Sequence, residues 1–462
     1  MNLQERFNLQ KSAFREQNPM PLAMRKEHLH LLDRILNDHE KEWIETLHKD
    51  FQKPAFETFI TEISIVRKEI EYHLKNLQKW TKPERVKSFV GNMPSRDYLY
   101  PQAYGVCLII GAWNYPVNLI LQPLVGALSA GNCVVLKPSE LASHTAALLT
   151  ELVERYFDPS VLTVVQGDGE ISAELTAMPF DLIMYTGSSQ VGRLVMKAAA
   201  ENLTPVILEL GGKSPAIVHD DADMTVTARR IWWGKCLNAG QTCVAPDYVM
   251  VHESVKEVFI AASKRVLGEF YPDASGANPQ TRFADMARII NDRHFNRITK
   301  LFTSKEAALG GFSDAETRFI EPTLVEVDRE HPLMSEEIFG PVLPLITYRN
   351  SDEVVEFVNS GETPLAFYAF TKNQAFAQDL VQRIPFGGGC VNDTIAQLAN
   401  LSLPFGGQGN SGMGAYHGKT GFEAFSRKKP VVHRSFSLDV PVKYPPYSES
   451  KLGWIRRLLK FA

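Results

Sequence analysis

The stretch NAGQTCVAP sets Cys243 between Gly240-Gln241-Thr242 and Val244-Ala245-Pro246. A thiol in such a setting can pack, ligate a metal, form half of a disulfide or act as a nucleophile. The chain has five cysteines, the others being Cys107, Cys133, Cys236 and Cys390. An odd number in a long chain argues against a disulfide framework. No CxxC pair exists, and Cys236 and Cys243 are seven apart with no histidine nearby to complete a zinc site. Cys107 in GVCLIIG and Cys133 in GNCVVLK read as small core residues.

Other residues supply possible company for the thiol. Glu209 ends the apolar run VILEL beside Gly211-Gly212. A carboxylate there is costly to bury unpaired, and desolvation would raise its pKa toward that of a general base. Pairing with an unseen cation is the competing reading. Asn114, in AWNYP, is a neutral amide that could donate to an oxyanion or simply make a turn. TGSSQVG spans 186–192 and carries its glycines as G-x-x-x-x-G, not as the dinucleotide fingerprint. A strand, a Gly-Ser turn and a helix start nonetheless offer free N–H groups to a phosphate. Lys137 and Glu140 in KPSE could hold a ribose. Alternatively, Ser139 caps a helix with Glu140 in its first turn.

These residues need a scaffold. Strand-like runs YGVCLIIGAW, NCVVLKP, LTVVQG and DLIMYTG lead to helical patterns near 117–130, 140–157, 169–177 and 190–201, and TPVILELGG follows. That alternation predicts a parallel sheet flanked by helices, with ligands at the strand C-termini. A second α/β region begins near residue 212. Its strands are SPAIVHD, DYVMVH, TLVEV, LPLITY, LAFYAFT and GCVNDT. Its helices are DADMTVTARRIWWGKCLNAG, VKEVFIAASKRVLGEF and TRFADMARIINDRHFNRITKLFT. Upstream, apolar residues at 56, 59, 60, 63, 66, 70, 74 and 77 form a helical stripe read as core. SRDYLYP reads as an exposed strand, and LPFGGQGNSGMGAYHG (403–418) is glycine-rich.

The 462 residues are 44% hydrophobic and 22% charged, with net charge −4. That balance gives no footprint for nucleic acid. The start MNLQERFNLQKSAFREQ lacks the apolar core of a signal peptide, and no run reaches the roughly 20 apolar residues of a membrane span. A cytoplasmic location is the expectation.

Taken together, LELGGKSP, NAGQTC, WNYP, KPSE, TGS, EEIFGPV (336–342) and PFGG (404–407) resemble the aldehyde dehydrogenase superfamily, in order, from about residue 10 to 435. GAWNYP, GMGAYHGKTGF, KYPPY (443–447) and the short N-terminus are similar to its class 3, fatty and aromatic aldehyde branch. The resemblance implies a three-part α/β fold. Residues 1–86 and 107–208 would form the parallel-sheet cofactor domain and 209–428 the catalytic domain. Residues 87–106 and 429–446 would form a β-strand dimerisation arm, and 447–462 an amphipathic tail.

It also implies NAD-dependent oxidation of aldehydes to acids without a metal, with NADP accepted. Cys243 would be the nucleophile, Asn114 with the Cys243 N–H the oxyanion donor, and Glu209 the base that activates water. Trp113, Lys137, Glu140, Gly187, Ser188, Glu337 and Phe339 would hold the cofactor, and Tyr115 and His417 would line the substrate pocket. Medium- or long-chain aliphatic or aromatic aldehydes and a homodimer are expected. The alternatives are a semialdehyde dehydrogenase and a non-catalytic protein that retains the fold. In KLGWIRRLLKFA, Leu452, Trp454, Ile455, Leu458, Leu459 and Phe461 alternate with Lys451, Arg456, Arg457 and Lys460. Such a helix could lie on a membrane surface, cover the substrate entrance or pack on a partner subunit.

Overall fold

The structure is a computed structural model that describes residues 2–89, 92, 94–272 and 282–460. Two large sheets organise it. The first has six strands, in the order Gly412–Met413, Val206–Glu209, Leu182–Thr186, Val106–Ile110, Cys133–Lys137, Leu162–Val164. All pairs are parallel except the outermost, where Gly412 pairs antiparallel with Glu209. Its central strands are apolar on both faces because helices cover both. The second sheet has seven strands and includes Pro215–Val218, Tyr248–His252, Val342–Tyr348 and Ala366–Phe370. The fold is the expected α/β architecture: three strands of the first sheet end at one crevice, and strands of the second sheet begin beside it.

A third sheet is small and antiparallel. Ser95–Ala103 lies between Glu84–Val86 and Ser426–Arg434. The second arm strand, expected within 429–446, instead starts at Ser426 and stops at Arg434. Register explains both ends, because Ser426 faces Ala103 and Arg434 faces Ser95, the two limits of the central strand. Glu84–Val86, expected as the end of the first cofactor-domain segment, is recruited as the third strand.

Tertiary contacts override local pattern at four places. The helix read over 281–303 forms only at Asp292–Thr299, and residue 281 lies outside the described residues. Asn291 caps it, accepting from the His294 N–H at 2.9 Å. The residues before it bond elsewhere: Arg288 N to Phe51 O, Ile289 N to Arg318 O, and Ile290 N to Gln241 Oε1. The helix after KPSE starts at Ser143, not at Ser139. Its cap comes from Asp50, whose carboxylate accepts from His144 N and Thr145 N, both at 3.0 Å. The helical stripe near residue 60 is broken by a π-helical turn at Phe59–Ile63. The phase shift leaves Phe56 and Phe59 exposed, while Ile63, Val66, Ile70 and Leu77 stay in the core. The glycine-rich stretch after 403 returns to the first sheet and adds its edge strand.

Glu449–Leu459 is helical and follows a short turn at Pro441–Lys443. Trp454 and Leu452 are exposed; the side chains of Leu458 and Leu459, and residue Phe461, lie outside the described residues. No helix among the described residues is long and apolar enough to cross a membrane.

Candidate active site

Two cavities meet at Cys243. One is a cleft of about 970 Å³ at the C-terminal ends of the first sheet. The other is a pocket of about 280 Å³ that reaches the same thiol. Cys243, Leu119 and Phe405 line both.

Cys243 is reduced and partly exposed. It follows a tight loop in which Asn238 and Ala239 hold φ of 55° and 54°. Left-handed backbone of this kind persists only where surroundings impose it. Gln241 supplies much of that restraint: its Nε2 donates to Asn238 O and Arg288 O, both at 3.0 Å. Burial, then the carboxylates of Glu337 and Glu209, hold the Cys243 thiol well above its ordinary pKa. The backbone N–H groups of Cys243 and Val244 act the other way, by bonding toward the sulfur.

Glu209 is 2% exposed, and neither carboxylate oxygen has a hydrogen-bond partner. Its strand is fixed on both sides, by Thr186 and by Gly412. Burial alone pushes its carboxyl well above the usual carboxylate range. Among the described residues no cation pairs with it, so an ion pair does not explain a carboxylate at this place. Asn114 is buried, and its Nδ2 donates to Gln241 O at 2.9 Å. An amide nitrogen carries two hydrogens, so one remains for the cleft.

The cleft brings together five of the residues named for the cofactor. Trp113, Gly187, Ser188, Glu337 and Phe339 all line it. Gly187 N donates to Glu209 O at 3.0 Å, so the TGS turn and the carboxylate strand are joined by backbone. Ser188 caps the helix Ser189–Glu201, presenting that helix start to the cleft. Phe339 stands edge-on to Trp113, with ring centroids 5.4 Å apart. A Cβ at Gly211 would collide with the Glu337 carboxylate, so glycine there permits the close approach. Burial raises Glu337 to about 8, with Asp247 adding to the shift. Lys137 and Glu140 are not among the cleft-lining residues. They sit at the end of the neighbouring strand and pair with each other at 2.9 Å.

Several cleft residues have no counterpart in the sequence reading. Lys213 binds Asp247 and also donates to Leu333 O at 2.9 Å and Glu336 O at 2.8 Å. Arg297 Nη2 donates to Ile338 O at 2.6 Å. Together they brace the EEIFGPV loop that carries Glu337 and Phe339. His294 lies against Trp113 at 5.3 Å and is held neutral, near 4, by burial and two neighbouring arginines. Lys213 stands inside LELGGKSP and was visible as a charge after a glycine pair. Arg297 and His294 carried no signal, since they sit on a helix whose start the pattern misplaced.

Tyr115 and His417 both line the smaller pocket. Tyr115 OH shares a 2.6 Å hydrogen bond with Thr242 Oγ1, next to the thiol. His417 is 4% exposed, not a surface loop residue; it stacks on Phe405 at 5.1 Å, and burial keeps it neutral, near 4. The remaining walls are largely apolar, among them Ile60, Ile65, Leu237, Ile395 and Leu398. No lysine or arginine is among the residues lining it.

A parallel-sheet crevice that ends on a part-exposed thiol, beside a buried carboxylate without a hydrogen-bond partner, is the arrangement of an α/β enzyme site. Residues 3–431 match the model of the aldehyde dehydrogenase family. The chain is 41% identical to 4,4'-diaponeurosporen-aldehyde dehydrogenase of Staphylococcus aureus, over 99% of each protein. It is 43% identical to the dimeric NADP-preferring aldehyde dehydrogenase of Mus musculus, over 96% of this chain and 98% of that one. The solved substrate-bound Staphylococcus aureus AldH superposes with a TM-score of 0.96 at 41% identity, covering 99% of this chain and 100% of that one. The chain therefore belongs to the aldehyde dehydrogenase family, and it is an oxidoreductase acting on aldehydes.

Proposed function

We propose that this protein oxidises medium- to long-chain aliphatic or aromatic aldehydes to carboxylic acids with a nicotinamide dinucleotide, NAD being preferred and NADP accepted. The observation that carries the reading is the junction at Cys243, where a polar cleft and an apolar pocket reach the same thiol.

The cleft residues fit a dinucleotide. Thr186 Oγ1 is buried there without a partner, beside the capped helix start, and such ends favour phosphate. Ser188 and Gly187 would hold the pyrophosphate, Glu337 the nicotinamide ribose, and Trp113 and Phe339 the flanking walls. Lys137 and Glu140, one strand out, would take the adenosine ribose. The Glu140 carboxylate opposes a 2′-phosphate, which supports NAD. The Lys137 ammonium offsets it, and the Mus musculus relative is named NADP-preferring. When bound, the cofactor supplies the two-electron acceptor of the reaction.

The chain's own residues supply the rest. The Cys243 thiol gives up its proton to solvent through the cleft, the thiolate attacks the aldehyde carbonyl, and the second N–H of Asn114 and the Cys243 N–H receive the oxygen as it gains charge. After oxidation to the thioester, Glu209 takes a proton from water, whose oxygen attacks the thioester carbonyl and releases the acid. Burial raises the Glu209 pKa, so once ionised the carboxylate is a stronger base toward that water than a solvated one would be.

The apolar pocket favours this substrate class over a semialdehyde. A carboxylate-bearing substrate would meet no cation there, and it would meet Asp393. The unpaired strand edges of the three-stranded sheet support a homodimer, and the free thiols suit the cytoplasm. Purified protein should reduce NAD in the presence of octanal or benzaldehyde, and Cys243→Ala should not. Reduction that survives Cys243→Ala would end this assignment.

A further inference from the structure

Behind the thiol lies a buried charge cluster that the proposed chemistry does not use. Lys53 and Glu62 are both fully enclosed, and Lys53 Nζ donates to Glu62 Oε1 at 2.7 Å. A buried ion pair rarely stabilises a protein over well-packed apolar residues, because desolvation offsets the attraction. Its presence here calls for a role in geometry.

The contacts supply one. Glu62 Oε2 accepts from Val117 N at 3.1 Å and Asn118 N at 3.0 Å. Those groups open the helix Asn118–Ala130, which has no cap from its own side chains. Glu62 thus caps, from a distance, the helix that begins directly after the AWNYP turn. It sits in the π-helical turn Phe59–Ile63, a feature frequent at functional sites. The Lys53 ammonium lies 4.0 Å from the centre of the Tyr115 ring, and Tyr115 bonds Thr242 beside the thiol.

On the other flank, Glu57 accepts from Asn238 N at 2.9 Å. Asn238 is one of the two left-handed residues of the cysteine loop, and its Nδ2 donates to Asn114 O at 2.8 Å. Three side chains within residues 53–62 therefore grip both the turn that carries Asn114 and the loop that carries Cys243. Those two segments follow different sheets and have no covalent reason to stay in register.

We propose that Lys53, Glu62 and Glu57 are positioning residues that set the Asn114 amide against the Cys243 thiol, and so govern the chemical step rather than cofactor binding. This rests on the roles proposed above for Asn114 and Cys243.

The test is a double-mutant cycle on the full-length enzyme, with Lys53→Met measured alone and on Asn114→Ala. Lys53→Met alone should lower kcat about 10- to 100-fold, as small misplacements do, with the KM for NAD changed less than about twofold. On Asn114→Ala the same substitution should cost less than about threefold, because the group it positions is gone. Losses that multiply, or a KM effect in place of a kcat effect, would overturn the proposal. Lys53→Met/Glu62→Leu replaces the pair by apolar side chains and runs the same cycle if the single variant does not fold. Glu57→Gln keeps an acceptor for Asn238 N and should recover most of the roughly tenfold loss expected for Glu57→Ala. Equal activity of those two variants would also overturn it. Wild-type activity of Asn114→Ala or Cys243→Ala would instead defeat the catalytic assignment, so the two failures are distinguishable.

Discussion

The cleft and the pocket share one thiol but are built differently. The cleft is formed by strand ends, glycine turns and a helix start, with carboxylates and cations placed by backbone. The pocket is formed by side chains drawn from five separated stretches between Ile60 and His417. Backbone sites need particular residues in a fixed local order, so they leave motifs. Side-chain sites need only shape and polarity, which many scattered residues can supply. In the function proposed above, the chemistry would fall to the cleft and substrate choice to the pocket.

Glu209→Gln tests the cleft most severely. Turnover should fall about 10²- to 10⁴-fold, the range for loss of a general base. A rapid burst of one NADH per site should survive, since only thioester hydrolysis is removed. Stopped-flow absorbance checks this, and loss of the burst would mean that Glu209 also serves the attack by Cys243.

Leu398→Arg tests the pocket. The catalytic efficiency for octanal should drop about 10- to 200-fold, the range of a disturbed apolar subsite. Succinic semialdehyde should lose less or gain. Equal losses for both substrates would show that the pocket wall does not select substrate by polarity.

The pH profile links the two cavities. Cys243 and Glu209 both have pKa values raised in this structure, so both hold protons that the reaction needs removed. Activity should thus rise with pH and be lost as pH falls, by about tenfold between pH 8 and pH 6. A profile flat over that range would show that neither group's proton limits the rate.

The smallest effect is expected at the rim. Glu140 is exposed, and its charge interactions are worth little. Glu140→Gln should shift the ratio of kcat/KM for NADP over NAD upward by about two- to fivefold. A shift toward NAD would reverse the role given to that carboxylate.

Much of the cleft was legible before any coordinates. Cys243, Glu209, Asn114, Trp113, Gly187, Ser188, Glu337 and Phe339 stand in short motifs and meet in one cleft. Lys137 and Glu140 were equally visible as a motif, yet they lie outside its lining. Their distance depends on sheet order, which no local pattern encodes. The helix misread over 281–303 shows the converse. Its apolar period was real, but Arg288, Ile289 and Ile290 give their N–H groups to distant partners. His294 and Arg297 were lost with it. The Lys53–Glu62 pair was invisible for a related reason, since a lysine and a glutamate nine apart read as surface charges until both are enclosed.

The sequence by itself determined the α/β alternation, the strand-end motifs and the place of Cys243 among them. Period, turn chemistry and residue type are local properties. The tertiary structure alone decided that Glu209 has no partner, that His417 is buried, and that one thiol serves two cavities. It alone brought residues 53–62 against the loop at 238–243. Those facts depend on desolvation and on contacts between segments far apart in the chain, and both exist only once the sheets have packed.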